Sequence, residues 1–339
     1  MDTIVMLMFM LTGRHPGEPA RSYTEVPAIQ HGRLVLWHDP GIVEHLDFRY
    51  GAGGRELIPQ PPFNFVKEDL SGTTAKVQVR DARGRIWAVR FGAKAGPDVF
   101  GSRLAWALGY YVEPTYYVAS GRIRGAHDLR RARHFIGAQG SFDGGRFQLR
   151  SQHPEFLKDV SWAWDQNPFL GTHQLQGLKI LVMLVSCWDD KDLHQASKLG
   201  SNVGIFRDGD RYLFFVDDWG RSMGHTGSRL HRSTWNAADY LKQTPEFVSG
   251  VKDGEIEFKY KGQNTGVIKN GISLSDVRWL LTYLDRVTDA QIRAGLLSSG
   301  ASPDQCDLFG YALRTRIKEL QAVAGEQKLN YRMATAAAR

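Results

Sequence analysis

Apolar and polar positions alternate in the first strongly patterned part of the chain, where Val77 and Val79 are followed by Ile86 and Ala88. A period of two is typical of strands that bury one face of a sheet. The pattern therefore predicts three consecutive strands, over residues 63–69, 75–80 and 85–91. A tight turn of small residues, 70–74, joins the first two strands.

An amphipathic helix is predicted next, over residues 99–110. Leu104, Ala105 and Leu108 share one face of it, and Gly109 is suited to its C-terminus.

Two charged residues flank the gap between the third strand and this helix. Arg90 comes at the end of the strand, and Asp98 directly precedes the helix. Such an acid can form a buried pair that directs the base toward a phosphate. Two unrelated surface charges explain the same residues equally well, so both interpretations stay open at this point.

The most apolar helix pattern begins after Thr172, a suitable N-cap. Apolar residues recur near a 3.6 period at Leu175, Leu178 and Val182, and residues 180–185 are apolar nearly all round. This pattern predicts a core helix, because so short an apolar run cannot span a bilayer.

A β-hairpin is predicted after a charged loop. Two β-rich runs, 202–206 and 211–216, flank the Asp-Gly dipeptide at 208–209, which is a strong hairpin signal. A two-residue loop at that dipeptide predicts a register in which Asn202 faces Phe215.

Oxygen-bearing side chains gather at the open end of this hairpin. Asn202 lies there with Asp217 and Asp218, and the loop that carries Asp189 and Asp192 enters from the same end. Carboxylate and amide oxygens suit Mg²⁺ or Mn²⁺. The sequence therefore predicts the outline of a site for a metal ion and a phosphate.

The C-terminal part is predicted to be a small helical bundle. Its three helices open with N-capping patterns at Ser273-x-x-Asp276, Thr288-x-x-Gln291 and Ser302-Pro303. The third is expected to end near Ala324, and residues 326–339 to form a flexible tail.

Composition narrows the class of protein. A chain of 339 residues with 42% hydrophobic content can bury a large core in two lobes or domains. The net charge of +7 is concentrated in arginines of the segment 122–133, which is either a solvated face or a patch for an anionic partner. No aromatic residues are interleaved with the arginines, so we expect no nucleic acid partner. Two cysteines are too few for a disulfide framework.

The N-terminus leaves the compartment open between cytoplasmic and exported. Residues 4–11 resemble the apolar region of a signal peptide, but Asp2 and the absence of Lys or Arg before them argue against a regular signal. A truncated signal, a misassigned start and a plain apolar strand stay open. We expect no transmembrane span.

Taken in order, these segments resemble the atypical branch of the protein-kinase-like fold, as in HipA-type, phosphoinositide and secretory-pathway kinases. They also resemble an uncharacterised bacterial group with W-x-V-K, W-A-x-G-Y, W-D-x-K-D and D-x-G segments, which appear here at 87–90, 106–110, 188–192 and 218–220. The resemblance covers roughly residues 60–320. It implies an α+β fold with an N-terminal extension, an antiparallel N-lobe, a mostly helical C-lobe and a tail, over residues 1–60, 61–125, 126–325 and 326–339.

The resemblance also implies a nucleotide-binding set. Arg90 stands in place of the phosphate-binding lysine, and Asp98 in place of its paired glutamate. Ser71, Gly72 and Thr73, in the turn between the first two strands, complete that set.

Catalytic and metal-binding roles follow in the same way. Asp189 matches the catalytic-base position, with Asp192 as its competitor, and Asn202 and Asp218 match the two metal ligands. The resemblance thus implies ATP and Mg²⁺ or Mn²⁺ as cofactors, and phosphoryl transfer to an unknown protein or small-molecule acceptor.

Two departures from the kinase pattern support an alternative. Arginine and aspartate replace lysine and glutamate, and arginine is not interchangeable with lysine at a phosphate. The interval from Asp189 to Asn202 is also longer than in regular kinases. The alternative is an inactive, pseudokinase-type module that binds a nucleotide or a protein.

Overall fold

The computed structural model describes residues 21–70, 74–150, 154–189, 202–227, 231–261 and 265–337, with side chains described up to residue 325. The strands are β1 (Arg21–Ser22), β2 (Arg33–Val35), β3 (Phe63–Glu68), β4 (Lys76–Arg80), β5 (Ile86–Phe91), β6 (Thr115–Arg124), β7 (Ser141–Leu149), β8 (Glu155–Phe156), β9 (Val160–Ser161), β10 (Val203–Asp208), β11 (Arg211–Val216), β12 (Val248–Lys252) and β13 (Glu255–Phe258).

The helices are α1 (Pro27–Gln30), α2 (Ala95–Ala107), α3 (His173–Leu184), α4 (Ala237–Lys242), α5 (Thr265–Lys269), α6 (Leu274–Leu284), α7 (Asp289–Leu297) and α8 (Pro303–Ala337). Short 3₁₀ helices cover Tyr23–Glu25, Val43–His45, Gly51–Gly53 and Ala132–His134. Sheets rich in antiparallel pairs, followed by a helical C-terminal part, confirm the predicted α+β class.

Five strands close into a barrel in the order β3-β4-β5-β7-β6. Its neighbouring strands are antiparallel except for β3 and β6, which pair in parallel. The three predicted strands are three of the five barrel strands, but the face of β5 that fills its core carries Trp87 and Val89 rather than Ile86 and Ala88. The register explains this correction, because Val79 lies opposite Trp87. The barrel extends to Leu149 and so includes β7, beyond residue 125.

The second sheet has the strand order β2-β11-β10-β8 and contains the predicted hairpin. The predicted register was wrong by two residues, since Phe215 lies opposite Gly204 rather than Asn202. The loop is formed by Gly209 and Asp210, because Gly209 adopts a φ of +63° that a hairpin loop can require at its first position.

Helix α2 connects the barrel to the C-terminal helices. It begins at Ala95, four residues before its predicted start, so Asp98 lies within its first turn. Pro97 is compatible with this start, because the first N–H groups of a helix have no intrahelical acceptor. The helix is not amphipathic as predicted, since every residue except Trp106 is buried. It packs against β6 and β7 on one side and α7 on the other.

The other predicted helices are present with their caps. Thr172 accepts a hydrogen bond from the N–H of Leu175, and α3 is buried as expected. Capping boxes open α6 and α7 at Ser273 and Thr288. Helix α8 continues to Ala337, past its predicted end. None of the described helices is long and apolar enough to cross a membrane.

The order of elements matches the one that the kinase-like resemblance implied: antiparallel strands, an acid-bearing helix, an apolar helix, a hairpin and an Asp-x-Gly segment. One hydrophobic core fills the barrel, and a larger one joins α2, α3 and the hairpin to the C-terminal helices. Arg90, Asp98, Asp189, Asn202 and Asp218, the predicted site residues that the structure describes, lie where these two parts meet.

Candidate active site

Three predicted site residues from distant parts of the chain meet in one place. Arg90, near the end of β5, places its Nη1 atom 2.9 Å from Asp218 Oδ2 and 3.5 Å from Asp98 Oδ2. Asp98 comes from α2, and Asp218 follows β11. All three side chains are largely or fully buried, so their interaction is weakly screened by solvent.

Asp98 has a nearer partner than the predicted Arg90. Its Oδ2 lies 2.7 Å from Nε of Arg146, and its Oδ1 accepts a hydrogen bond from the N–H of Trp219 at 3.0 Å. Arg146 was missed by the sequence reasoning. A signal for it was available, since polar residues alternate with apolar ones at Arg146, Gln148 and Arg150, the pattern of one strand face.

Lys94 contacts two of the predicted acids, Asp189 and Asp218. Its Nζ lies 3.5 Å from Asp189 Oδ2 and 3.8 Å from Asp218 Oδ2. Lys94 is the residue just before α2, and the sequence reasoning missed it as well. Asp189, with 27% of its side chain exposed, is therefore close to Asp218, as the resemblance implied.

Asn202 lies at the open end of the hairpin, as predicted. It is buried directly before β10, and its carbonyl accepts a hydrogen bond from the N–H of Asp217 at 2.8 Å. Asn202 and Asp218 therefore come from the two neighbouring strand ends. Their roles as metal ligands stay a prediction.

A second polar cluster adjoins the site. Gln148 accepts a hydrogen bond from Nη1 of Arg146 at 2.7 Å, and its amide donates to Glu113 and, at 3.3 Å, to Asp217. Arg150 lies 3.4 Å from the carboxylate of Glu113. The outer face of β7 is thus joined by hydrogen bonds to the segment that carries Asp218.

Burial and neighbouring charges shift the pKa values of Asp98 and Asp218 in opposite directions. Burial raises the pKa of Asp98 to about 6, an effect that Arg146 opposes and the nearby Asp218 reinforces. Burial also favours the neutral form of Asp218, but Lys94, Arg90 and Arg146 outweigh it and hold the pKa of Asp218 well below its usual range. The neighbouring cations therefore favour the ionised form of Asp218.

Four predicted site residues lie outside the described residues. They are the competing base Asp192 and the turn residues Ser71, Gly72 and Thr73.

The donor set fits a magnesium ion that is bound together with a phosphate. Among the described residues, no group of three or more His, Cys, Asp and Glu side chains could hold a metal ion. Asn202 and Asp218 offer two hard donors, and Mg²⁺ usually completes its shell with water and substrate phosphate. Asp218 Oδ1 already accepts from the N–H of Gly220 at 2.9 Å, and its Oδ2 contacts Arg90. A metal ion on Oδ2 would share that oxygen with Arg90 or displace it.

Comparisons with known proteins give distant similarity to solved structures alone. No protein-family model and no curated protein sequence matches the chain. Among solved structures, it is similar to the crystal structure of a Helicobacter pylori proinflammatory kinase, CtkA, with a TM-score of 0.45 and 11% sequence identity. The match covers 77% of this chain and 93% of that chain. A similarity of this degree does not establish a shared activity.

Proposed function

We propose that this chain is a kinase-like phosphotransferase that uses ATP and Mg²⁺. The observation that carries the proposal is the meeting of two cations and two acids where the barrel joins the helical part. Arg90 and Lys94 contact Asp218, and Lys94 also contacts Asp189, all within 3.8 Å. Phosphoryl transfer needs such a set, because its catalysis consists mainly of positioning and charge stabilisation.

The cations would bind the phosphates of the nucleotide. Arg90 lies on the outer face of the barrel, with Lys76 and Arg146 directly opposite it on the two neighbouring strands. A guanidinium group can donate two parallel hydrogen bonds to phosphate oxygens. Arg90 would therefore exchange its contact with Asp218 for a contact with phosphate.

The acids would divide metal binding and base chemistry between them. Asn202 and Asp218 would hold the Mg²⁺ ion, which when bound neutralises charge on the phosphate oxygens. Asp189 would accept a hydrogen bond, and then the proton, from the acceptor hydroxyl. Lys94 would keep Asp189 oriented through their 3.5 Å contact.

The second candidate is a catalytically inactive module that binds a nucleotide or a protein. The observation that favours it is the ion pair between Arg90 and Asp218, 2.9 Å long and largely buried. This pair joins the proposed phosphate-binding cation to the proposed metal-binding carboxylate, so a nucleotide and a metal ion would compete with it. A chain that has lost catalysis could keep the pair as a structural contact.

A binding and transfer experiment separates the two candidates. We expect ATP to raise the melting temperature of the purified protein only when Mg²⁺ or Mn²⁺ is present, and the protein to release ADP from ATP. Asp218→Asn should abolish both effects, and Asp189→Asn only the second. Asp210→Asn is the matched control, because Asp210 is an exposed acid at the closed end of the same hairpin.

Each outcome assigns a function. Stabilisation by ATP without transfer to water or to any acceptor favours the inactive module. No response to any nucleotide, with or without metal, refutes the phosphotransferase and leaves protein binding.

A further inference from the structure

Arg146 is a fully buried cation that lies beside another buried cation. It is 1% exposed and stands directly opposite Arg90 in the register of β5 and β7, so both side chains point to the same face of the barrel. Like charges directly opposite each other destabilise a sheet, and a buried charge requires a partner. The arrangement needs an acid between the two arginines.

Asp98 supplies that acid and is closer to Arg146 than to Arg90. The contact of its Oδ2 with Nε of Arg146 is 2.7 Å, whereas the contact with Nη1 of Arg90 is 3.5 Å. Asp98 therefore forms its closer ion pair with Arg146, although neither contact has the geometry of a hydrogen bond. The other end of Arg146 is held by Gln148 at 2.7 Å.

The second oxygen of Asp98 reaches the segment that carries the candidate metal ligand. Its Oδ1 accepts the N–H of Trp219, the residue directly after Asp218. A continuous series of contacts therefore runs from Arg146 through Asp98 to the backbone next to Asp218. Arg90 contacts the Asp218 carboxylate itself.

We propose that Arg146 is a positioning residue. Arg146 fixes Asp98, and Asp98 holds the Trp219 backbone and so places Asp218 for a metal ion. Arg90 is then left to bind phosphate. The identity of the ligands rests on the proposed function. In this arrangement Arg146, rather than the phosphate-binding Arg90, is the closer partner of Asp98. Arg146 takes the acid, and Arg90 moves between Asp218 and the nucleotide.

Double-mutant cycles on the ligand-free protein test the pairing. Urea unfolding is measured for Asp98→Asn, Arg146→Gln and Arg90→Gln, and for the two double variants that contain Asp98→Asn. We expect the loss of stability in Asp98→Asn with Arg146→Gln to be clearly smaller than the sum of the single losses. The losses for Asp98→Asn and Arg90→Gln should be closer to additive.

Arg103→Gln is the matched control for these cycles. Arg103 is a buried arginine on the same helix, and it donates to Gly295 and Ser299 rather than to Asp98. The loss of stability in Arg103→Gln should add to the loss of stability in Asp98→Asn. If Arg146→Gln does not fold, Arg146→Lys, which keeps the charge, replaces it in the cycle. Stronger coupling of Asp98 to Arg90 than to Arg146 overturns the inference.

Ligand binding tests the positioning role with a readout that a general loss of stability does not move. We measure the Mg²⁺ concentration that half-saturates the protein at a fixed concentration of a non-hydrolysable ATP analogue. Arg146→Gln should raise this concentration about tenfold or more, as is typical when the support of a metal ligand is removed. The affinity for the analogue without metal should not change, and Arg146→Lys should recover part of the loss.

Arg90→Gln should show the opposite split, with weaker binding of the analogue itself. Equal effects of Arg146→Gln on analogue and metal binding overturn the positioning role. A wild-type protein that binds neither the analogue nor Mg²⁺ refutes the proposed function and, with it, the ligand part of this inference. The double-mutant cycles then decide by themselves whether Asp98 pairs with Arg146.

Discussion

Gly101 provides the sharpest test of how α2 meets the Asp-x-Gly segment. A Cβ atom at this position would lie 2.6 Å from Cβ of Trp219 and 2.9 Å from its Cγ. Trp219 is 1% exposed, and its N–H donates to Asp98, so it has little room to move away. Gly310 is a helical glycine whose added Cβ would meet no atom within 4 Å. The two glycines form a matched pair.

The two substitutions to alanine are expected to change the free energy of unfolding in opposite directions. Replacing a glycine by alanine inside a helix stabilises the protein by about 1 kcal/mol. Inserting a methyl group into a packed contact costs about 1–3 kcal/mol. Gly310→Ala should therefore increase the free energy of unfolding by about 1 kcal/mol. Gly101→Ala should change it by between about zero and a loss of 2 kcal/mol, because the clash offsets the gain.

Urea unfolding of both variants measures this difference, with equal m-values as the condition for comparing midpoints. Gly101→Ala should also weaken the metal-dependent binding of ATP, since the helix that carries Asp98 must shift relative to Trp219. Gly310→Ala should bind as the wild type does. If Gly101→Ala is as stable as Gly310→Ala, the close approach of α2 to Trp219 is wrong.

Three further predictions follow. Hydrogen bonds from Arg85 and the indole of Trp87 outweigh burial and lower the pKa of Asp81. The stability that this carboxylate contributes is therefore present at neutral pH, and it is lost as the pH falls through the pKa of the folded state. Asp81→Asn should therefore cost roughly 3–5 kcal/mol at pH 7, with unfolding curves that converge on the wild type in strong acid. Mg²⁺ alone should leave the melting temperature unchanged, because no group of three or more His, Cys, Asp and Glu side chains in the described parts of the chain could hold a metal ion. In a crystal structure with Mg²⁺ and an ATP analogue, the side-chain oxygens of Asn202 and Asp218 should lie roughly 3–4 Å apart, because each would be about 2.1 Å from the ion. A position of either residue beyond reach of the ion would contradict the site.

Features that depend on neighbours along the chain could be predicted from the sequence. The caps at Thr172, Ser273 and Thr288 are present because each side chain reaches an N–H within its own first turn. The three strands before α2 and the existence of the hairpin were predicted for the same reason, since both follow from local patterns. The predicted hairpin also placed Asn202 and Asp218 at one end. The error of two residues in its register did not change this, because such a shift keeps each side chain on the same face of the sheet.

Features that depend on distant partners were decided by the tertiary structure. The start of α2 could not be read from its apolar pattern, because burial on all sides removes the amphipathic signal. The sequence suggested that Arg90 and Asp98 meet, but it could not show that Asp98 contacts Arg146 more closely. That choice depends on the register of β5 and β7, which places two arginines opposite each other and leaves one acid between them. Ion pairing inside a protein is a competition among all charges within a few ångströms, and only the folded chain determines which charges those are.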